Sequence, residues 1–156
     1  MLHLDVQDGL TPPQDIHGMM DAAEVVLDQF ERYDAPTDHF FWNGFYIRQI
    51  HMPKGFVCTT KIHKKRHPFS ITKGKVEVCD NEGEYKLMEA PYVGITEPGT
   101  RRISRVIEDC TWTTFHATEA ESVEAAEVDL ILPHESPHSI PYANARNEHQ
   151  YVLHND

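Results

Sequence analysis

Residues 55–74, Gly-Phe-Val-Cys-Thr-Thr-Lys-Ile-His-Lys-Lys-Arg-His-Pro-Phe-Ser-Ile-Thr-Lys-Gly, constrain this chain more than any other stretch. Alternate residues of a β-strand point to one face. A strand here would therefore place Lys61, His63, Lys65 and His67 on the side shared by Phe69 and Ile71. Gly74 would end the run, Lys75-Val-Glu-Val-Cys79 would start the next strand after a tight corner, and Asp80-Asn-Glu-Gly83 has the residues of a hairpin turn.

The flanking segments repeat this pattern. Residues 38–50 are aromatic and β-branched and break at Asn43-Gly44; residues 85–96, 105–107 and 111–116 supply further short strands separated by Pro and Gly turns. Many short strands at near-regular spacing predict an all-β barrel or jelly roll. Minor helix flanks it. Thr11-Pro-Pro opens an amphipathic helix with Ile16, Met19, Met20, Ala23, Val26, Leu27 and Phe30 on one stripe, ending near residues 33–36. Thr118-Glu-Ala-Glu121 has capping-box spacing and predicts a second helix over 119–127. Residues 133–156 hold three prolines and four histidines (His134, His138, His149 and His154) without apolar periodicity and are expected to be an extended tail. The resulting division is an arm and helix over 1–37, a barrel over 38–117, and a short helix with a tail over 118–156.

The spacing of the central stretch resembles the first motif of the cupin superfamily, a glycine, His-x-His, a glutamate and a second glycine. Gly55, His63 and Gly74 fall on the first glycine, the second histidine and the last glycine. Lys61 stands at the first histidine and His67 at the glutamate. In the second motif Gly99 fits, Pro98 is displaced by one position, Arg102 takes the histidine's place, and Pro91 and Val106 replace the outer Gly and Asn. The resemblance implies an RmlC-like, double-stranded β-helix (jelly-roll barrel). Across residues 38–120 the chain is similar to small cupin-like proteins encoded by bacteriophages. The similarity is carried by Gly-Phe-Tyr-Ile-Arg, Ile-His-Lys-x-x-His-Pro-Phe, Gly-Lys-Val-x-Val, Pro-Gly-Thr-Arg-Arg and Trp-Thr-Thr-Phe-His-Ala-Thr.

That framework leaves three readings of the interior. His63, His67 and His116 could hold a divalent transition metal (Zn, Fe, Ni or Mn), and imidazole suits Zn, Fe, Ni or Cu. His63 and His67 lie four residues apart, about 13 Å on a regular strand, so a shared ion requires a bend between them. Lys61 and Arg102 favour an anion, carboxylate or phosphate, and oppose a bare cation. The third reading has the histidines satisfied by Thr and backbone groups alone. No nucleophile elbow and no Gly-rich phosphate loop is present in the sequence.

Charge and cysteine content bound the rest. The net charge is −11, yet ten of the 14 Lys and Arg lie between Lys61 and Arg105, while residues 1–39 carry nine acids and one Arg. A basic segment inside an acidic chain argues against nucleic-acid binding, which needs an outward basic face, and fits an inward basic pocket. Cys58, Cys79 and Cys110 are odd in number and form no Cys-x-x-Cys pair, so reduced buried thiols are expected. No membrane segment and no secretion signal is visible in the sequence, so a chain that is not secreted is expected; the resemblance to phage proteins implies a host cytoplasm or a virion. The function the resemblance implies is a phage-encoded accessory or virion structural protein, non-catalytic and homo-oligomeric, with other phage proteins as partners. The alternative is a metal-dependent cupin enzyme (dioxygenase, isomerase or lyase) acting on a small anionic substrate, or a protein that binds such a molecule.

Overall fold

The computed structural model describes residues 16–80, 84–133 and 150–153. The expected all-β architecture with minor helix is observed. In chain order, α1 (Ile16–Leu27) is followed by β1 (Glu31–Arg32), β2 (Thr37–Trp42), β3 (Phe45–Met52), β4 (Phe56–Thr59) and β5 (His67–Cys79). Then come β6 (Tyr85–Glu89), β7 (Tyr92–Thr96), β8 (Ile103–Ala117), α2 (Val123–Leu130) and β9 (Gln150–Val152). The strands form one curled antiparallel sheet, ordered β1-β9-β4-β8-β3-β2, with β5 pairing β8, β6 and β7. The long strand β8 organises it: β3 and β4 pair along β8, and β5 pairs with it from Phe69 to Cys79.

Period-2 patterning sets the two faces. Even-numbered residues of β8 (Ser104, Val106, Cys110, Trp112, Thr114 and His116) face the concave side, as do Tyr46, Arg48, Ile50 and Met52 of β3. Phe56, Cys58, Phe69, Ile71, Val76, Val78 and Met88 complete the apolar half of that interior. All three cysteines are buried free thiols, as expected. Asn43 (φ 48) and Gly44 (φ 82) make the two-residue β2–β3 turn, for which positive φ at both positions is required.

Five details differ from the sequence expectation. The stretch 67–79 is one strand rather than two: Gly74 (φ 90) absorbs a series of register shifts, and a Cβ there would overlap the Asp109 carbonyl, so the chain kinks without stopping. The expected separate strands at 105–107 and 111–116 are likewise joined as β8. Helix α1 ends at Leu27, because β1 begins at Glu31 to pair with β9; its expected start at residues 11–15 lies outside the described residues. Helix α2 is capped by Ser122, whose side chain accepts from the Ala125 amide, because the Thr118 hydroxyl is committed to Asp129 and to the Ala120 amide. Finally, residues 150–152 of the expected extended tail form β9 within the sheet, with Tyr151 fully buried against Val57 and Leu27. The turn at 81–83 and the tail histidines His134, His138, His149 and His154 lie outside the described residues.

Helix α1 is fixed to the outer side by a buried ionic network. Arg101 donates to Asp21 at 2.8 Å and to Glu24 at 2.6 Å, and Thr59 donates to the same Glu24 oxygen at 2.7 Å.

Candidate functional site

A cavity of ≈ 150 Å³ occupies the polar half of the concave face. Its walls come from four directions. Strand β3 supplies Tyr46 and Arg48, β8 supplies Trp112, Thr114 and His116, the segment around Lys61 and His63 joins His67 of β5, and Glu127 and Leu130 of α2 close one side. Lys61, His63, His67, Arg102 and His116, the residues singled out in the sequence, all line it.

The way His63 and His67 meet differs from a regular strand. Only His67 belongs to β5; Lys64 and Lys65 form a bend and are exposed. Four backbone contacts pin that bend. His63 bridges to Ile131, the Lys64 amide donates to Leu130, the Leu132 amide donates to Ile62, and the Gly99 amide donates to His63. Lys65 therefore turns away from the cavity and pairs with Asp129 at 3.0 Å. The bend brings the rings of His63 and His67 to 4.6 Å, while His116 stacks on His63 at 5.3 Å and lies 4.3 Å from His67. Each histidine offers a ring nitrogen within 4.8 Å of the other two.

Electrostatics keep the triad neutral. His116 is driven down to about 3 by burial, then by His67 and Arg48. His63 is held well below its usual value by burial first, followed by its two histidine neighbours, Arg48 and Arg102. Burial also lowers His67, with Arg102 adding to it and the hydrogen bond to the Lys65 carbonyl opposing it. Neutral imidazoles carry the lone pairs that metal coordination needs. The Nδ1–H of His67 donates to the Lys65 carbonyl at 3.1 Å, which leaves Nε2 as its free donor atom. Nε2 of His116 is engaged with the Thr114 hydroxyl at 2.9 Å, leaving Nδ1 free.

This donor set fits a transition-metal ion. His63, His67 and His116 would hold the ion, each through one ring nitrogen, and these nitrogens already lie within 4.8 Å of one another. An all-imidazole set suits Zn, Fe, Ni or Cu and is unsuited to Ca or Mg.

The two cations singled out in the sequence behave differently. Lys61 is paired with Glu127 at 3.0 Å, and both are mostly buried. Arg102 lies over Phe69 (5.1 Å) and Trp112 (6.0 Å) and donates to Thr96 at 2.9 Å, while its Nε is buried without an acceptor among the described residues. Burial lowers its pKa. An unsatisfied buried donor costs about 1–3 kcal/mol, so this guanidinium is poised to take an acceptor.

Arg48, Tyr46 and Glu127 also line the cavity and were not singled out from the sequence. Arg48 was detectable: it shares its strand face with the buried Tyr46, Ile50 and Met52, and a charge on an apolar face signals an interior site. Tyr46 shares a 2.6 Å hydrogen bond with His39 Nδ1, and burial pushes its hydroxyl up to about 12, so it serves as a donor throughout the physiological range.

Neither a family model nor a curated protein matches the chain. Among solved structures it is similar to the Cnp3 cupin domain of Schizosaccharomyces pombe, with 22% identity, 56% of this chain and 67% of that one covered, and a TM-score of 0.48. It is also similar to an RmlC-like cupin family protein with a double-stranded β-helix fold from Methanocaldococcus jannaschii (11% identity, 54% and 80% covered, TM-score 0.47). A cupin-2 domain protein of Shewanella frigidimarina gives 9% identity, 64% and 97% covered, and a TM-score of 0.46.

Proposed function

We propose that this chain holds one divalent transition metal on His63, His67 and His116 and acts as a metal-dependent enzyme on a small molecule within the cavity. The observation that carries this reading is the triad itself: three neutral imidazoles, brought from β5, β8 and the bend before β5, with ring nitrogens within 4.8 Å of one another. His67 and His116 are buried and His63 half-buried, and no side-chain hydrogen bond is found for His63 among the described residues, so its ring is left for a ligand in the cavity.

A bound ion of this kind supplies Lewis acidity to a ligand oxygen. The chain's own groups supply the rest. Glu127, held by Lys61, is the one carboxylate among the described residues lining the cavity and is placed to accept a proton from a bound molecule. Tyr46 stays protonated, since burial raises its hydroxyl to about 12, and it contributes a neutral polar group to the wall. Trp112 and Phe69, stacked at 4.5 Å, form an apolar wall that excludes water from one side.

The test is elemental analysis of tag-free protein, before and after incubation with Zn, Fe, Ni or Cu. About one equivalent of a single metal, lost in His67→Ala and His116→Ala, is the expected result. Less than about a tenth of an equivalent after reconstitution removes the reading.

A second reading is a phage-encoded accessory or virion component that uses the fold as an oligomer scaffold. Large apolar side chains left on the surface favour it, chiefly Trp42 (71% exposed) and Val93 (77% exposed). Native mass on the same sample decides it, since a monomer at micromolar concentration contradicts the scaffold role.

A further inference from the structure

We propose that Arg48 and Arg102 form a two-armed receptor for a small dicarboxylate, bound beside the histidine triad. The inference rests on reading the cavity as a ligand site, and it holds with or without a metal.

Charge balance is the first support. The chain carries 25 acids against 14 Lys and Arg, so an interior cation could readily have been given a carboxylate partner. Other basic residues have one: Arg32 with Asp28, Lys65 with Asp129, Arg66 with Glu97, and Arg101 with Asp21 and Glu24. Within the cavity Lys61 has taken Glu127. Arg48 and Arg102 line the same cavity, and neither forms an ion pair among the described residues. Asp80 also acts on Arg102 from outside the lining; the lining itself carries three cations and one carboxylate, an excess of positive charge that suits a dianion.

Geometry is the second support. Arg48 sits opposite Thr114 in the β3–β8 register, between Tyr46 opposite His116 and Ile50 opposite Trp112. Arg102 enters from the segment before β8 and lies over Trp112 and Phe69. The two guanidiniums therefore come from different walls. Arg48 is two residues from Tyr46, which pairs with His116 across the β3–β8 ladder, and both arginines line the cavity together with the three histidines. Arg102 spends NH1 on Thr96 and keeps Nε without an acceptor. The planar fork of a guanidinium matches a carboxylate in a bidentate pair. Two such forks on separate walls suit two separate carboxylates better than one phosphate.

Size is the third. A cavity of ≈ 150 Å³ is in the size class that accepts a benzene-sized guest, which admits malonate or succinate.

The experiment uses the full chain, stripped of metal with chelator, and measures binding of malonate, succinate, acetate and inorganic phosphate by calorimetry at constant ionic strength. Malonate or succinate is expected to bind at least about tenfold tighter than acetate or phosphate. Arg48→Gln and Arg102→Gln should each bring dicarboxylate affinity down to the acetate level. Arg102→Lys, which keeps charge and loses the fork, should lose about tenfold. Arg66→Gln, an exposed control, should leave it within about twofold. Circular dichroism and the thermal melt of each variant report whether the fold survives. Equal or tighter binding of phosphate overturns the dicarboxylate assignment, and absence of saturable binding by any of the four overturns the receptor. If zinc fails to bind while dicarboxylates do, the metal reading falls and this one stands; if zinc binds and no dicarboxylate does, only this one falls.

Discussion

The Nδ1–H of His67 donates to the backbone carbonyl of Lys65, two residues earlier, at 3.1 Å, across the bend that turns Lys65 out to solvent. One hydrogen bond thus does two things: it stabilises the departure from strand geometry, and it fixes which nitrogen of His67 faces the cavity. A ring held in this way is predicted to be the Nδ1–H tautomer at neutral pH, with a bare Nε2. Imidazole ¹⁵N shifts of the metal-free protein check it. A protonated Nε2 on His67 in this ring orientation would mean that the nitrogen facing the cavity has no lone pair and that the triad offers two donors rather than three.

Burial of three neutral histidines makes the metal-free fold sensitive to mild acid. His116 has a folded-state pKa of about 3 against an ordinary 6.5, and His63 and His67 are lowered too. Between those two pH values the unfolded chain binds more protons than the folded one, so stability rises with pH through this window and falls as pH drops below about 6.5. His116 alone contributes about 1.4 kcal/mol per pH unit there. Chemical denaturation of the metal-free protein at pH 7 and pH 5 should therefore show a loss of about 2 kcal/mol or more. His116→Asn should flatten the slope. Carboxylates such as Asp129, whose pKa is lowered by Thr118 and Lys65, act in a lower window, below about pH 4, and do not confuse the comparison.

The histidines were legible in the sequence because strand alternation and a familiar spacing both pointed inward, and Lys61 and Arg102 followed from the same frame. What alternation could not show was the bend: its cause is pairing with residues 130–132, more than sixty positions away. Strand β9 was invisible for the same reason. Three residues, Gln150-Tyr-Val, carry no period of their own, and only the open edges of β1 and β4 make them a strand. Glu127 was missed as a cavity residue because two capping signals compete at 118 and 122, and the winner depends on Asp129 drawing off the Thr118 hydroxyl. Arg48 is the instructive case. Its inward position was encoded in the alternation of Tyr46, Ile50 and Met52, the same argument that located His67.

Helix α1 is joined to the sheet by charges that have left water. Arg101 and Glu24 are 4% and 2% exposed, and the Glu24 oxygen bound by Arg101 is also bound by Thr59. Removing one partner of a buried pair strands the other. Arg101→Ala is therefore expected to cost about 3–5 kcal/mol, read as a shift in the urea midpoint at unchanged slope. Thr59→Val removes a single hydrogen bond to a charged group and should cost about 1.5–3 kcal/mol. If Arg101→Ala costs under about 1 kcal/mol, the helix is held by its apolar face at Leu27 and the network is incidental.

Gly94 controls the apolar shelf on which Arg102 rests. It lies opposite Phe69 in the β5–β7 register, and a Cβ there would sit 2.5 Å from Phe69 Cζ and 2.6 Å from Cε1. The ring cannot simply swing aside, because its far face is stacked on Trp112 at 4.5 Å with 7° between the planes. Gly94→Ala must therefore displace Phe69 and Trp112 together, and the Arg102 guanidinium above them. Overpacking of this kind costs about 1–3 kcal/mol. Gly99→Ala makes the useful contrast: nothing lies within 4 Å of its Cβ, and only the positive φ of 82° penalises it, by about 1–2 kcal/mol. Both variants should lower the melting temperature, but only Gly94→Ala should change the fluorescence of Trp112, measured in a Trp42→Phe background that silences the second, exposed tryptophan. An unchanged Trp112 signal in Gly94→Ala would show that Phe69 takes up the methyl without shifting Trp112, against a coupled shelf.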